Sequence, residues 1–550
     1  MPDVVAPTGH VDTFCTDHLP PPELWPVRDW TGIPELAYPE RLNCAAELLD
    51  RMVESGAGDR LVFRFPGGTW TYRHLFETSN RIAHVLVDEL GLVPGNRVLL
   101  RGPNNPMLAA CWFAVLKAGG VVVCTMPLLR ERELKYLAKK AEIDLALTDV
   151  RFLAECEDGF REREAARVIS FTNGETKRAE PGSLESMMGG KPATFEICDT
   201  AAEDIAIIAF TSGTTGEGKG TMHSHRDIMA ITDCFPRYVL KPSADDLFCG
   251  SPPLAFTYAL GGLLLFPMRF GACSLLLEQA TPPNLVKAIG EYRPTVCFTA
   301  PTAYRAMCGM LADHDVSSLR KCVSAGETLP LSVYESWLDA TGLQIIDGIG
   351  ATEMLHIFIS AAEDDIRPGA TGKVVPGYQA KIVDDDGNDA PAGSVGRLAV
   401  RGPTGCRYLA NIEQPKKYVE NGWNLTGDSY KLDEDGYFWY QARTDDMIIS
   451  GGYNIAGPEV ENVLLEHPAV LECAVVGEPD EERGHVVKAV IVLRPGSEGS
   501  DPLKKELQDF VKARIAPYKY PRRVDFVSAL PRTATGKLQR YRLREGEQAQ

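Results

Sequence analysis

Ile208-Ala-Phe-Thr-Ser-Gly-Thr-Thr-Gly-Glu-Gly-Lys-Gly220 decides how this chain is read. The apolar run at 205–210 predicts a buried strand that empties into a loop of Thr, Ser and Gly closing on Lys219. Such a loop suits a polyphosphate. Gly213 and Gly216 let backbone N–H groups turn inward, Thr211, Ser212, Thr214 and Thr215 add hydroxyl donors, and Lys219 adds a positive charge. Residues 213–219 nearly follow the pattern G-x-x-x-x-G-K-[ST], but Gly220 stands where that pattern needs a magnesium-binding hydroxyl. This argues against a P-loop NTPase.

Working outward, residues 42–148 alternate between helix and strand. Helices are expected at 43–55, 73–90, 106–118 and 130–141, a hairpin at 60–65 and 69–72, and strands at 97–100, 120–124 and 145–148. This is the rhythm of a parallel sheet with crossover helices. Residues 151–200 are polar and weakly periodic and read as a connector. After the loop the alternation resumes, with strands at 246–251, 273–277, 296–299, 321–324 and 344–348 between helices, which predicts a second doubly wound sheet. Several of its strand ends, Thr299-Ala-Pro301, Ser324-Ala-Gly-Glu327 and Asp347-Gly-Ile-Gly-Ala-Thr-Glu353, run into small or acidic residues suited to line a crevice. Segments at 374–440 are short, rich in Val, Gly and Tyr, and carry the hairpin signal Asp384-Asp-Asp-Gly387, so a small β-barrel is expected there. From Asp445 onward the texture is α+β. The expected fold class is therefore α/β: a large N-terminal domain over 1–444, made of two doubly wound sheets plus a small β-barrel, followed by a small α+β C-terminal domain over 445–550.

Composition narrows the function. With 44% hydrophobic and 24% charged residues the chain has the make-up of a soluble globular protein. A formal net charge of -18 disfavours nucleic acid as a partner. The 14 cysteines are scattered singly without a C-x-x-C pair, and residues 1–26 show no signal-peptide pattern, so reduced thiols and a cytoplasmic location are expected. The longest apolar stretch, 107–129, is broken by Lys117-Ala-Gly-Gly120 and reads as a core helix and strand, not a membrane span. His223-Ser-His225 lacks the further ligands of a metal site and fits local hydrogen bonding.

Further motifs follow in order: Gly350-Ala-Thr-Glu353, Thr426-Gly-Asp428, Arg443-Thr-Asp-Asp446 with Gly451-Gly-Tyr-Asn-Ile455 and Pro458-Glu459, and Pro531-Arg-Thr-Ala-Thr-Gly-Lys537. Alone, Thr426-Gly-Asp428 fits an ordinary turn and Lys537 a solvated tail. Together with the phosphate loop, the set resembles the adenylate-forming superfamily of acyl-CoA synthetases, peptide-synthetase adenylation domains and luciferases. Two departures stand out. Gly218 occupies a position that is usually proline, which implies a more mobile loop, and Ala442 one that is usually glycine.

The resemblance implies ATP, Mg2+ and coenzyme A as reactants. It implies that Thr211 to Thr215 cradle the β- and γ-phosphates, that Lys219, Glu353 and Lys537 are catalytic, and that Mg2+ sits by Glu353 and Thr211. By the same resemblance Gly326, Glu327, Asp347 and Gly348 bracket the adenine and Thr352 belongs to the nucleotide site, Asp428 grips the ribose and Arg443 pairs with ribose or phosphate, and Gly451, Gly452 and Tyr453 approach with the thiol after a swing about Asp445 that makes the C-terminal domain mobile. The chemistry has its own logic. A carboxylate is a poor electrophile, and attack on the α-phosphate of ATP converts it into an acyl-adenylate with a good leaving group. Two anions must meet, so cations are the main catalytic need.

The segments 252–262 and 353–358 resemble benzoate-type CoA ligases, including 2-aminobenzoate ligases. This implies a short aromatic-walled pocket built from Phe256, Tyr258, Ala325, Gly350 and His356, in which His356 bonds the carboxylate or an ortho hydroxyl or amino group. The expected function is an ATP-dependent aryl-acid–CoA ligase acting on benzoate, 2-aminobenzoate or salicylate, as a monomer or homodimer. Alternatives are an aryl-acid adenylating enzyme that loads a carrier protein, a medium-chain acyl-CoA synthetase, and a catalytically silent nucleotide-binding regulator.

Overall fold

The computed structural model describes residues 7–174, 180–211, 218–384, 386–410, 413–443, 446–450, 453–480, 483–515, 517–532 and 538–544, with backbone only at 413–415, 449, 453, 454 and 484. The fold is mixed α/β, with four sheets among the described residues. The first has six strands in the order Arg167–Phe171, Leu145–Asp149, Arg97–Arg101, Val121–Thr125, Ile205–Thr211, Lys219–Ser224. Neighbours are parallel except for the last pair, which is antiparallel. The second has nine strands, with a parallel centre and antiparallel pairs at both ends.

Three features differ from the sequence expectation. The phosphate-loop strand Ile205–Thr211 belongs to the first sheet, and Lys219–Ser224, a strand not foreseen, folds back onto it as the last strand of that sheet. The hairpin Leu61–Phe65 and Gly68–Thr71 joins the edge of the second sheet through Cys273–Leu275. The presumed connector contains the helix Leu153–Phe160 and the outermost strand of the first sheet, Arg167–Phe171. That strand is buried only at Phe171, and this half-exposed edge gives it little apolar signal.

The main core lies between the two sheets. The helix Pro106–Lys117 is buried at every position. It starts at Asn105, whose side chain accepts from the Leu108 N–H at 2.9 Å, with Pro106 at the first helical position. Buried residues from both sheets, among them Leu100 and Phe298, belong to one continuous cluster with this helix. Lys117 at its end is wholly buried yet paired, its ammonium lying 2.6 Å from Asp50 and 2.7 Å from Asn80 Oδ1. Burying such a charge is tolerated only with partners of this kind.

Residues 379–443 form a five-stranded antiparallel sheet. A fourth sheet draws all its strands from Ile448 onward, is flanked by the helices Gly457–Leu465 and Asp501–Arg514, and encloses its own apolar core. This is the separate C-terminal domain. All 14 cysteines are free thiols and none is exposed. No helix among the described residues is long and apolar enough to cross a membrane.

Candidate functional site

The phosphate loop is framed by paired strands. Thr211 stands opposite Lys219 in register, so the two ends of the loop are fixed on one ladder. Ser212, Gly213, Thr214, Thr215 and Gly216 lie outside the described residues, as do Asp445, Gly451, Gly452 and Lys537; Tyr453 is described by its backbone alone. At the departure Gly218, the carbonyl accepts a hydrogen bond from the Tyr136 hydroxyl at 2.9 Å. This ties the loop end to the helix Glu131–Lys140.

The strand Lys219–Ser224 also positions the acid motif. His223 Nε2 donates to the Thr352 carbonyl at 2.8 Å. Burial lowers His223 to about 4, so it stays neutral. From the other side, the segment around Tyr408 is bonded to the same strand, Met222 N–H to the Arg407 carbonyl at 2.8 Å and Leu409 N–H to the Gly220 carbonyl at 2.8 Å. The Tyr408 hydroxyl then donates to Glu353 Oε1 at 2.5 Å. Burial, and next the Glu353 charge, push the Tyr408 phenol upward, so it remains a donor. Arg407 is held at 2.9 Å by the wholly buried Asp227, which Arg28 also approaches at 3.3 Å. The pair His223-Ser-His225 is thus structural, with His225 Nδ1 against Cys44 Sγ at 3.1 Å.

Lys219 feels both sides of the cleft. Burial lowers its ammonium, the Glu353 charge raises it, and Arg443 is among the cations opposing it. A small cavity between the acid turn and the strand Trp423–Leu432 is lined by Ala351, Glu353, Met354, Tyr418, Leu425 and Thr426. Beyond it, Asp428 and Arg443 are opposite one another in register, with Arg443 Nη1 donating to Asp428 Oδ1 at 3.2 Å and to the Thr426 carbonyl at 3.1 Å. Gly427 makes room for this. Its φ is +75°, and a Cβ there would lie 2.7 Å from Arg443 Nη2. The departure at Ala442 is absorbed in the strand, where it is fully buried opposite Ser429.

Among the residues expected to face the adenine, Gly326 has φ +88° with open space where a side chain would stand. Glu327 lies 3.7 Å from Arg532 of the C-terminal domain. Asp347 is half-buried, its Oδ1 has no hydrogen-bond partner among the described residues, and burial pushes its carboxyl up to about 7. Gly348 follows with no room for a larger residue, since a Cβ would meet Ile357 Cδ1 at 2.9 Å.

The expected acid pocket is aromatic. The Tyr258 hydroxyl is engaged with the backbone carbonyls of Val323 at 3.1 Å and Thr299 at 3.3 Å. Its ring centroid lies 5.8 Å from that of His356 and 5.6 Å from that of Phe298. Ala325 is buried, Phe256 is half-buried, and a Cβ on Gly350 would meet the His356 carbonyl carbon at 2.8 Å. His356 itself is only 3% exposed and packs edge-on to Phe266 at 4.5 Å. Its Nε2 contacts the Tyr258 carbonyl at 3.2 Å and so must carry the proton, which leaves Nδ1 an acceptor without a partner among the described residues. Burial holds the ring at about 3, so the acceptor persists at any working pH. An acceptor offers nothing to a carboxylate. Of the two roles expected for His356, only pairing with an ortho hydroxyl or amino group is chemically compatible with this tautomer.

Among the described residues no three His, Cys, Asp or Glu side chains gather into a metal cage. One carboxylate and one hydroxyl, Glu353 and Thr211, suit Mg2+, which keeps few protein ligands and is completed by substrate phosphates. Their elements are neighbours, the strand ending at Thr211 packing against the turn Thr352–Met354. Sequence reading missed Tyr408 and His223 as supports of Glu353. Tyr408 belongs to no motif, and it reaches the acid turn through the strand Lys219–Ser224 and through Thr404, whose hydroxyl donates to the Met354 carbonyl at 2.8 Å.

The chain matches the family described as AMP-binding enzyme over residues 50–408 and the AMP-binding enzyme C-terminal domain over 459–537. It is 35% identical to the benzoate–CoA ligase of Thauera aromatica over 93% of this chain and 97% of that protein. It is 34% identical to the mitochondrial acyl-coenzyme A synthetase ACSM3 of Homo sapiens over 93% and 91% of the two chains. The crystal structure of the anthranilate CoA ligase AuaEII in complex with anthranoyl-AMP superposes with a TM-score of 0.87 at 34% identity, covering 94% of this chain and 99% of that one.

Proposed function

The chain belongs to the AMP-binding enzyme family, and on that premise we propose that it is an ATP-dependent aryl-acid–CoA ligase for benzoate or a 2-substituted benzoate. What supports this reading is the charge interaction of Lys219 with Glu353 and Arg443, the bond of Arg443 to Asp428, and the aromatic group of Tyr258, Phe298 and His356, of which His356 closely follows Glu353 in the chain.

In the first half-reaction a carboxylate oxygen attacks the α-phosphorus. The new O–P bond forms as the bond to the β-phosphate bridging oxygen breaks, giving acyl-AMP and pyrophosphate. In the second, the sulfur of coenzyme A attacks the acyl carbon, the C–S bond forms, AMP leaves with its oxygen, and the thiol proton goes to solvent. Lys219 and Lys537 supply positive charge to the first step. Mg2+ held by Glu353, Thr211 and the nucleotide's phosphates would supply charge neutralisation. Asp428 accepts from the ribose hydroxyls, and Arg443 fixes its orientation.

The test is pyrophosphate exchange and kcat/KM across benzoate, salicylate, 2-aminobenzoate, cinnamate and octanoate, with mass analysis of the product formed from coenzyme A alone. Benzoates are expected to lead. The 34% identity to an acyl-coenzyme A synthetase is the reason octanoate belongs in the panel. Octanoate as best substrate overturns the aryl pocket, adenylation without a coenzyme A thioester points to a carrier-protein acceptor, and no pyrophosphate release with any acid points to a silent regulator.

A further inference from the structure

We propose that Tyr408 is a positioning residue for Glu353, orienting its carboxylate so that Oε2 faces the nucleotide's metal; this rests on the reading of Glu353 as a metal-binding residue given above. The phenol takes Oε1 at 2.5 Å, and Oε2 accepts no hydrogen bond among the described residues. One oxygen is thereby fixed and the other is left for a cation.

The hydroxyl is placed with little freedom. Tyr408 is 1% exposed, and its ring packs edge-on to that of Tyr418 with centroids 5.9 Å apart. The residues on either side of it are bonded to Met222 and Gly220 of the strand that begins with Lys219. Arg407 is anchored in turn on the buried Asp227. The acid turn is also held by His223 through the Thr352 carbonyl, again from that strand. The strand that begins with Lys219 therefore holds both the segment of Tyr408, through backbone hydrogen bonds, and the acid turn of Glu353, through His223.

Groups that orient a metal-binding carboxylate typically change metal affinity by about 10–100-fold when removed. Tyr408→Phe removes the hydroxyl and leaves the ring. Mn2+ binding to the full-length enzyme with α,β-methylene-ATP, followed by electron paramagnetic resonance, is expected to weaken about 10–100-fold, while thioester formation from supplied benzoyl-adenylate stays within about twofold. Glu353→Gln is expected to weaken Mn2+ at least as much, and Tyr408→Phe to add nothing further in that background. Undiminished Mn2+ binding in Tyr408→Phe with weakened binding in Glu353→Gln overturns the role of Tyr408 alone. Losses that multiply in the double variant also overturn it. Undiminished binding in Glu353→Gln overturns the reading of Glu353 beneath it.

Discussion

A Cβ on Gly261 would lie 2.3 Å from His356 Cδ2 and 2.6 Å from Nε2, so the missing side chain at 261 is what lets the imidazole occupy its place between Tyr258 and Phe266. Gly261 is in a buried helical segment, Leu260–Leu265, where alanine would ordinarily be favoured by about 1 kcal/mol. Overpacking a filled core costs about 1–3 kcal/mol, and a contact this short against a ring enclosed by aromatics makes the clash the larger effect.

Gly261→Ala is therefore expected to lower the melting temperature and to erase any preference for 2-aminobenzoate over benzoate, because Nδ1 of His356 moves. His356→Ala should erase the same preference. A Gly261→Ala enzyme with unchanged Tm and substrate ranking would show that the ring has room to shift and does not read the ortho position.

Much of this architecture was legible in the sequence where burial is two-sided. The strands Val296–Thr299 and Lys321–Ser324 appear where the apolar runs lie, since central parallel strands are apolar on both faces. The edge strand Arg167–Phe171 and the antiparallel strand Lys219–Ser224 were not legible. The first is half-exposed, and the second, Lys-Gly-Thr-Met-His-Ser, is buried through polar residues whose partners lie far away in sequence. The same holds for the site. Thr426-Gly-Asp428 and Arg443 can be read locally because their strands pair in register, whereas Tyr408 reaches Glu353 across 55 positions. The burial of His356 was also hidden, because a polar residue beside Leu355 and Ile357 carries no signal of the aromatic rings that enclose it.

Lys537→Ala is expected to abolish adenylation and spare thioester formation from supplied acyl-adenylate. Lys537 lies outside the described residues, so the expectation rests on charge. A cation about 4 Å from an anion in a partly shielded site is worth roughly 4 kcal/mol, or about a thousandfold in rate. Separate assays of the two half-reactions decide it, and equal loss in both would remove Lys537 from the first step.

The contacts of the C-terminal domain bear on the swing proposed for it. Arg532 lies 3.0 Å from Glu472 of its own domain and 3.7 Å from Glu327, while Arg305 Nη1 donates to the Leu471 carbonyl at 3.2 Å. This arrangement brings Arg532 to Glu327, which we propose faces the nucleotide, and we propose that the thiol step needs the 451–453 stretch there instead. We propose Asp445 as the pivot. Asp445→Pro fixes φ at that point and is expected to retain one half-reaction and lose the other. Wild-type rates in both would place the pivot elsewhere.

We propose that Asp347 gives nucleotide binding a pH signature. Burial raises its carboxyl from 3.8 to about 7, so the free protein holds a proton there that the unfolded chain has lost. Stability from this group is full below about pH 4 and falls as pH rises through 7, because the folded state binds the extra proton over that window. An adenine amino group donating to the unpartnered Oδ1 would favour the ionised form, so on this proposal ATP binding expels the proton. Calorimetry at pH 6 in buffers of different ionisation enthalpy is expected to show release approaching one proton, and ATP affinity should fall by up to about tenfold per pH unit below 7. At pH 8.5 the release should vanish. Asp347→Asn should remove both the release and the slope and flatten stability between pH 4 and 7. If wild type binds ATP at pH 6 with no proton exchanged, or if the Asn variant keeps the wild-type slope, Asp347 does not meet the adenine.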